Sequence, residues 1–218
     1  MPTLVDILAR VSFLAAMPAV AGILVTAGLL VVSRDWRLNV TALTLQYFFV
    51  VLLLTRLIRL EVAAVKGLTG WMICMVFYLT ERRASVLEQP VAKEDKGASR
   101  RWVISARASF CLLAGLLVSV ASYTAALRFP LPEVPSDITL ACYLLVGLGL
   151  LLIGLSEAPM QVGLGLLTFL SGFDLLYVAL EPSLAVAGLL GAVSFLIALA
   201  TAYLRAAQIA VADDGRSP

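Results

Sequence analysis

The chain has 218 residues, 61% of them apolar and 14% charged, with a formal net charge of +2 and a mean hydropathy of +1.01. Soluble domains carry roughly 25% charged residues, so this balance excludes an ordinary water-soluble globule and specifies a polytopic membrane protein. The sequence contains no histidine, and its three cysteines show no Cys-x-x-Cys spacing. That excludes histidine-ligated haem, zinc-hydrolase and Ser-His-Asp chemistry, and an iron–sulfur cluster bound by this chain alone.

About 20 apolar residues at 1.5 Å each cross a hydrocarbon core of about 30 Å. On that measure the sequence reads as seven spans. The first ten residues hold Asp6 and a single basic residue, Arg10, and the apolar run after them exceeds a signal-peptide core. A retained first helix is therefore expected, starting at 4 or 11 and ending at 32, with Pro18 placed to kink it. A polar turn over 33–37 sets Trp36 at the membrane interface. Helices over 38–57 and 60–80 follow, separated only by Arg56, Arg59 and Glu61.

Residues 81–107 form the one long polar stretch, and Pro90 and Gly97 mark it as a loop. A fourth helix over 106–127 leads into a proline-rich connection, 129–137, that has no Lys or Arg. The fifth helix covers 138–155. Pro159 suits the first turn of the sixth, 161–180. A turn at Glu181-Pro182-Ser183 begins the seventh, 184–204, and a polar, frayed tail is expected beyond it.

Charge placement orients these spans. With the 81–107 loop in the cytoplasm, the inside collects eleven basic residues and the outside four: Arg10, Arg56, Arg59 and Arg128. The N-terminus is then outside and the C-terminus inside.

Shifting residues 37–80 by 124 positions lays them on 161–204 with nine of 44 identities, Leu43, Thr44, Phe49 and Gly67 among them. Chance matching in Leu-rich chains is roughly a tenth of positions. The offset spans four helices, an even number, so both copies face the same way. The predicted fold is all-α, a parallel 3+1+3 repeat related by an axis along the membrane normal. Its parts are a first three-helix unit (1–80), a basic cytoplasmic loop (81–105), a linking helix (106–128), a second unit (136–205) and a tail (206–218).

Few residues carry chemistry. Asp174 lies in the outer half of the sixth helix, where a carboxylate costs on the order of 2.5–3.5 kcal/mol, so it needs a partner or water. It reads either as a proton or cation site or as a structural carboxyl. Lys66, two turns into the third helix, either reaches the outer interface by snorkelling or pairs with Asp174 or Glu61 as a buried relay. Gln46 and Tyr47, with Thr41, Thr44 and Thr55, either line a path or bond across helices. Arg56, Arg59 and Glu61 form an outer cluster, read as an anion site or a solvated turn. The ion-path candidates are thus Asp174, Lys66, Gln46, Tyr47 and Glu61. No metal site, cofactor or catalytic residue is predicted, and Cys74, Cys111 and Cys142 read as buried free thiols.

The segments 34–53 and 161–179, with Gly165-Leu166-Leu167 followed by Phe169-Leu170-Ser171, resemble the small K-type subunit of complex I. They equally resemble the C-type subunit of multisubunit cation/proton antiporters and the corresponding subunit of energy-converting hydrogenases. Residues 184–204 resemble that family's second helix, and the likeness covers each three-helix half. The family's membrane glutamates fall here on Leu167 and Leu43, and near Ser194 and Gly70, so Asp174 or Lys66 would act at non-matching positions.

The resemblance implies a multi-pass inner-membrane subunit of a larger ion-translocating or redox-linked complex. It would be structural or assist proton or cation conduction, and it would contact lipid and antiporter-like membrane partners but no nucleic acid. The alternative is an autonomous small-solute transporter similar in architecture to SWEET and PQ-loop proteins, although their Pro-Gln pair does not occur at the matching helix ends.

Overall fold

The computed structural model describes residues 16–33, 35–57, 60–87, 99–131, 134–180 and 183–214. The expected start of the first helix before residue 16 lies outside them, as do Arg59 and the side chain of Glu61. The described residues form seven helices: α1 (Ala16–Val32), α2 (Trp36–Leu57), α3 (Leu60–Leu87), α4 (Ser99–Arg128), α5 (Ser136–Leu155), α6 (Pro159–Leu180) and α7 (Leu184–Asp214).

Six of these, α2 to α7, are long and apolar enough to cross a membrane; the described part of α1 is apolar but shorter. The chain is therefore a helical, multi-pass membrane protein. Its helix starts follow from local chemistry. Pro159 opens α6, where its missing N–H costs nothing. Pro135 precedes α5, and Asp137 in the first turn complements the positive end of the helix dipole.

Three helices outrun their predicted ends. α3 continues seven residues past Thr80, α4 begins seven residues before 106, and α7 runs ten residues beyond 204. The expected loop is thus helical at both flanks, and only its middle, 88–98, lies outside the described residues. The expected frayed tail is helical to Asp214. Bilayer thickness limits the apolar run, not the helix, and Glu81, Arg82, Arg83 and Ala84 all favour helix.

The helices form two rows. α1, α2 and α3 pack side by side in one, and α5, α6 and α7 in the other. The rows lie face to face, with α1 on α5, α2 on α6 and α3 on α7. A half-turn about an axis between the rows would instead set α1 against α7, so the pairing is that of stacked layers. α4 flanks α5 and α1 at one edge. Only 11% of its spanning window is buried, against 56% for α6, which makes α6 central and α4 peripheral.

The closest seam joins α5 to α6. A Cβ on Gly149 would stand 2.5 Å from the backbone nitrogen of Phe169, and one on Gly165 would stand 2.9 Å from that of Ile153. Only glycine lets two backbones approach this far.

The buried core comes in two halves. One gathers Leu30, Leu43, Phe77, Leu148, Leu152 and Leu164; the other gathers Ile23, Val50, Leu53, Ile138, Leu145 and Leu175. Between them along the helices lies a band of buried polar side chains: Thr26 on α1, Gln46 on α2, Lys66 on α3, and Thr168, Ser171 and Asp174 on α6.

Candidate functional site

The polar band converges on one ion pair. Lys66 Nζ lies 2.5 Å from Asp174 Oδ2, with side-chain exposures of 8% and 2%. This rules out the snorkelling expectation for Lys66. The side chain sits two helical turns below the start of α3, where α3 faces the second row, and the carboxylate offers nearer compensation than the interface. Ammonium and carboxylate hydrogen-bond to each other at that separation, and among the described residues neither head group has a partner beyond the other, so the pair keeps spare donor and acceptor capacity. In a low-dielectric interior such a pair is strongly favoured over either charge alone.

Tyr47 extends the band. It is buried, and Ser171 lies within hydrogen-bonding reach of its hydroxyl, with Asp174 and Cys74 nearby. The Tyr47 ring packs on Gly70 of α3, where a Cβ would come 2.8 Å from the ring. Gln46, 1% exposed, has neither amide atom satisfied among the described residues. Two unsatisfied polar atoms at this depth mark a place where water or a transferred group can be held. The threonines behave differently from both readings of the sequence: Thr41, Thr44 and Thr55 donate to carbonyls of their own helix. Thr44 additionally faces Cys74.

The structure thus brings Asp174, Lys66, Tyr47 and Ser171 together and leaves Gln46 in the same buried band. Glu61 lies on α3, but its side chain is outside the described residues. Among the described residues no group of three or more His, Cys, Asp or Glu side chains is placed to hold a metal ion. The three cysteines are buried and unbridged.

Two further ion pairs went unrecognised in the sequence. Arg56 Nη1 lies 2.6 Å from Asp137 Oδ2, joining α2 to α5. Arg205 Nε donates to Glu81 Oε1 at 3.2 Å, joining α7 to α3. Arg56 is therefore an inter-helix contact and not part of a solvated turn. Residues 81 and 205 are separated by 124 positions, the offset at which 37–80 were laid on 161–204, and that offset was the available signal. Each of these three pairs crosses from one row to the other.

A cavity of about 380 Å³ opens at the end of the bundle where α2 and α6 begin. Trp36, Asn39, Glu81, Glu157, Gln161 and Arg205 line its polar side, and Val40, Met160 and Leu164 its apolar side. The guanidinium of Arg37 stacks 5.3 Å from the centre of the Trp36 ring. The sequence reading singled out neither Asn39 nor Glu157. An asparagine near the start of an otherwise apolar helix was the available clue.

No protein-family model matches this chain. No curated protein and no solved structure matches it either.

Proposed function

We infer that the chain is a membrane subunit of a larger ion-translocating or redox-linked complex, in which it supports or assists proton or cation conduction. The observation that carries this reading is the Lys66–Asp174 pair, buried within the spans and embedded in a polar band between two apolar half-cores. A purely structural membrane bundle gains nothing from such a pair, since apolar side chains of similar volume hold helices together as well or better. Ionisable groups inside spans mark ion paths by default, and Tyr47, Ser171 and Gln46 extend this one along α2 and α6.

The partners in this reading are antiporter-like membrane subunits, received on the apolar flanks of α4 and α3. Leu113, Leu116, Leu117 and Trp71 are largely exposed there. The proposed orientation puts the N-terminus outside and the C-terminus in the cytoplasm of a plasma (inner) membrane. The 3+1+3 repeat belongs to the same proposal. It is supported by the Glu81–Arg205 pair at the repeat spacing, whereas the stacking of α1 on α5, α2 on α6 and α3 on α7 does not fit a half-turn axis between the trios. The likeness to K-type subunits agrees with the three-helix units but brings no glutamate of its own.

Gentle purification of the tagged protein tests the reading. Stoichiometric large membrane partners are expected, together with ion-coupled activity that Asp174→Asn abolishes without disassembling the complex. A solitary chain, or unchanged activity in that variant, overturns it. The cavity at the α2–α6 end favours a second reading, an autonomous small-solute transporter, whose mark would be solute uptake by the chain alone in liposomes.

A further inference from the structure

We propose that the cavity at the α2–α6 end is a binding site for a primary ammonium group. The charge of its lining decides the sign. Arg205 is engaged with Glu81 at 3.2 Å, so these two offset each other. Glu157, on the turn between α5 and α6, has no ion-pair partner among the described residues and leaves the lining itself with one net negative charge, the Arg37 cation lying outside the lining on the Trp36 ring. The Arg37 guanidinium already stacks 5.3 Å from the centre of the Trp36 ring, so the indole serves the site as a wall and not as a free cation-binding face.

A second, independent feature asks for a donor. Asn39 is 4% exposed, and its Oδ1 has no hydrogen-bond partner among the described residues. Asn39 lines the cavity, and which of its two amide heavy atoms is the oxygen is set by the partner it meets. A buried amide oxygen left unmatched costs free energy that an N–H donor recovers. Gln161 supplies another amide at the rim. A primary ammonium has three N–H donors and one charge, which suits one carboxylate and one or two amide oxygens. A quaternary ammonium meets the charge but offers no N–H.

The apolar side of the cavity, Val40, Met160 and Leu164, takes the carbon chain attached to the nitrogen. Trp36 places the site at the level of the lipid head groups. The ammonium then comes from one of two sources: the head group of an aminophospholipid, or a free amine from the aqueous side. The former suits a subunit sealed by lipid, and the latter a transporter. The site stands under either reading of the function, and its failure leaves the Lys66–Asp174 site untouched.

The test uses the full chain in nanodiscs. In phosphatidylcholine discs, butylamine is titrated and followed by calorimetry. In a parallel arm, discs containing phosphatidylethanolamine are disrupted gently and the retained lipid is counted by native mass spectrometry. Saturable binding in at least one arm is expected. Choline or phosphatidylcholine should bind at least about tenfold more weakly, the loss of roughly one charge-assisted hydrogen bond. Glu157→Gln, at an exposed turn position, should weaken the primary amine by about the same factor. Asn39→Leu should also weaken it, and circular dichroism would verify its fold. No saturable binding in either arm, equal binding of primary and quaternary amines, or binding unchanged by Glu157→Gln overturns the proposal.

Discussion

Lys66 and Asp174 set the energetics of the middle of this protein. Each buried charge is tolerated because the other is 2.5 Å away. Removing one partner leaves an uncompensated charge, which in buried pairs costs about 3–5 kcal/mol. Lys66→Met and Asp174→Leu are therefore each expected to lower the unfolding midpoint in detergent steeply. The double variant should recover most of the loss, because two apolar side chains fit the space between the half-cores. Ion-coupled activity of the complex should stay lost in the double variant. Recovery of stability with retained activity would make the pair a structural element only. The depth of both residues was legible in the sequence, since hydropathy locates a charge along the membrane normal. Their pairing was legible only as one alternative for Lys66, beside snorkelling and a pairing with Glu61, because the choice depends on which way α3 and α6 are rotated. For the same reason Asn39 and Glu157 stayed invisible: each is ordinary in its own helix or turn, and only the meeting of α2, α3, α6 and α7 puts them around one cavity.

At the scale of elements, α5 and α6 are held by backbone proximity rather than by side-chain bulk. Gly149→Ala should destabilise the bundle by about 1–3 kcal/mol, because its Cβ meets the α6 backbone and the neighbour there cannot yield. Gly154→Ala, where a Cβ meets nothing within 4 Å, should be neutral or raise stability by up to about 1 kcal/mol through helix propensity. Thermal melts of the two variants in the same detergent make the comparison. If both behave alike, the seam is looser than its geometry. Which glycines meet was not legible in the sequence, because it depends on how α5 and α6 are rotated against each other. The ends of α3, α4 and α7 were misjudged for a definite reason. The end of an apolar run marks the edge of the hydrocarbon and not of the helix: Glu81, Arg82, Arg83 and Ala84 carry α3 on, and the Glu81–Arg205 contact fastens that extension to α7.

Across the whole molecule, the ion pairs share one task. Arg56–Asp137, Lys66–Asp174 and Glu81–Arg205 each join the first row of helices to the second. They are spaced along α2 and α3 from one end of the spans to the other, so the rows are cross-linked near both surfaces and between them. The proposed orientation gives this arrangement a direction. Arg56–Asp137 would face outward, and Glu81–Arg205, with the cavity, would face the cytoplasm. Cysteine labelling in intact cells tests that assignment, in a background where Cys74, Cys111 and Cys142 are replaced by serine or alanine. Phe129, 66% exposed after α4, should react as Phe129→Cys with a membrane-impermeant maleimide added from outside. Arg83→Cys, on the exposed extension of α3, should react only after the membrane is opened. The reverse pattern would invert the protein, placing the basic 81–107 segment outside against the charge bias. It would also deliver any amine in the cavity from the opposite side of the membrane.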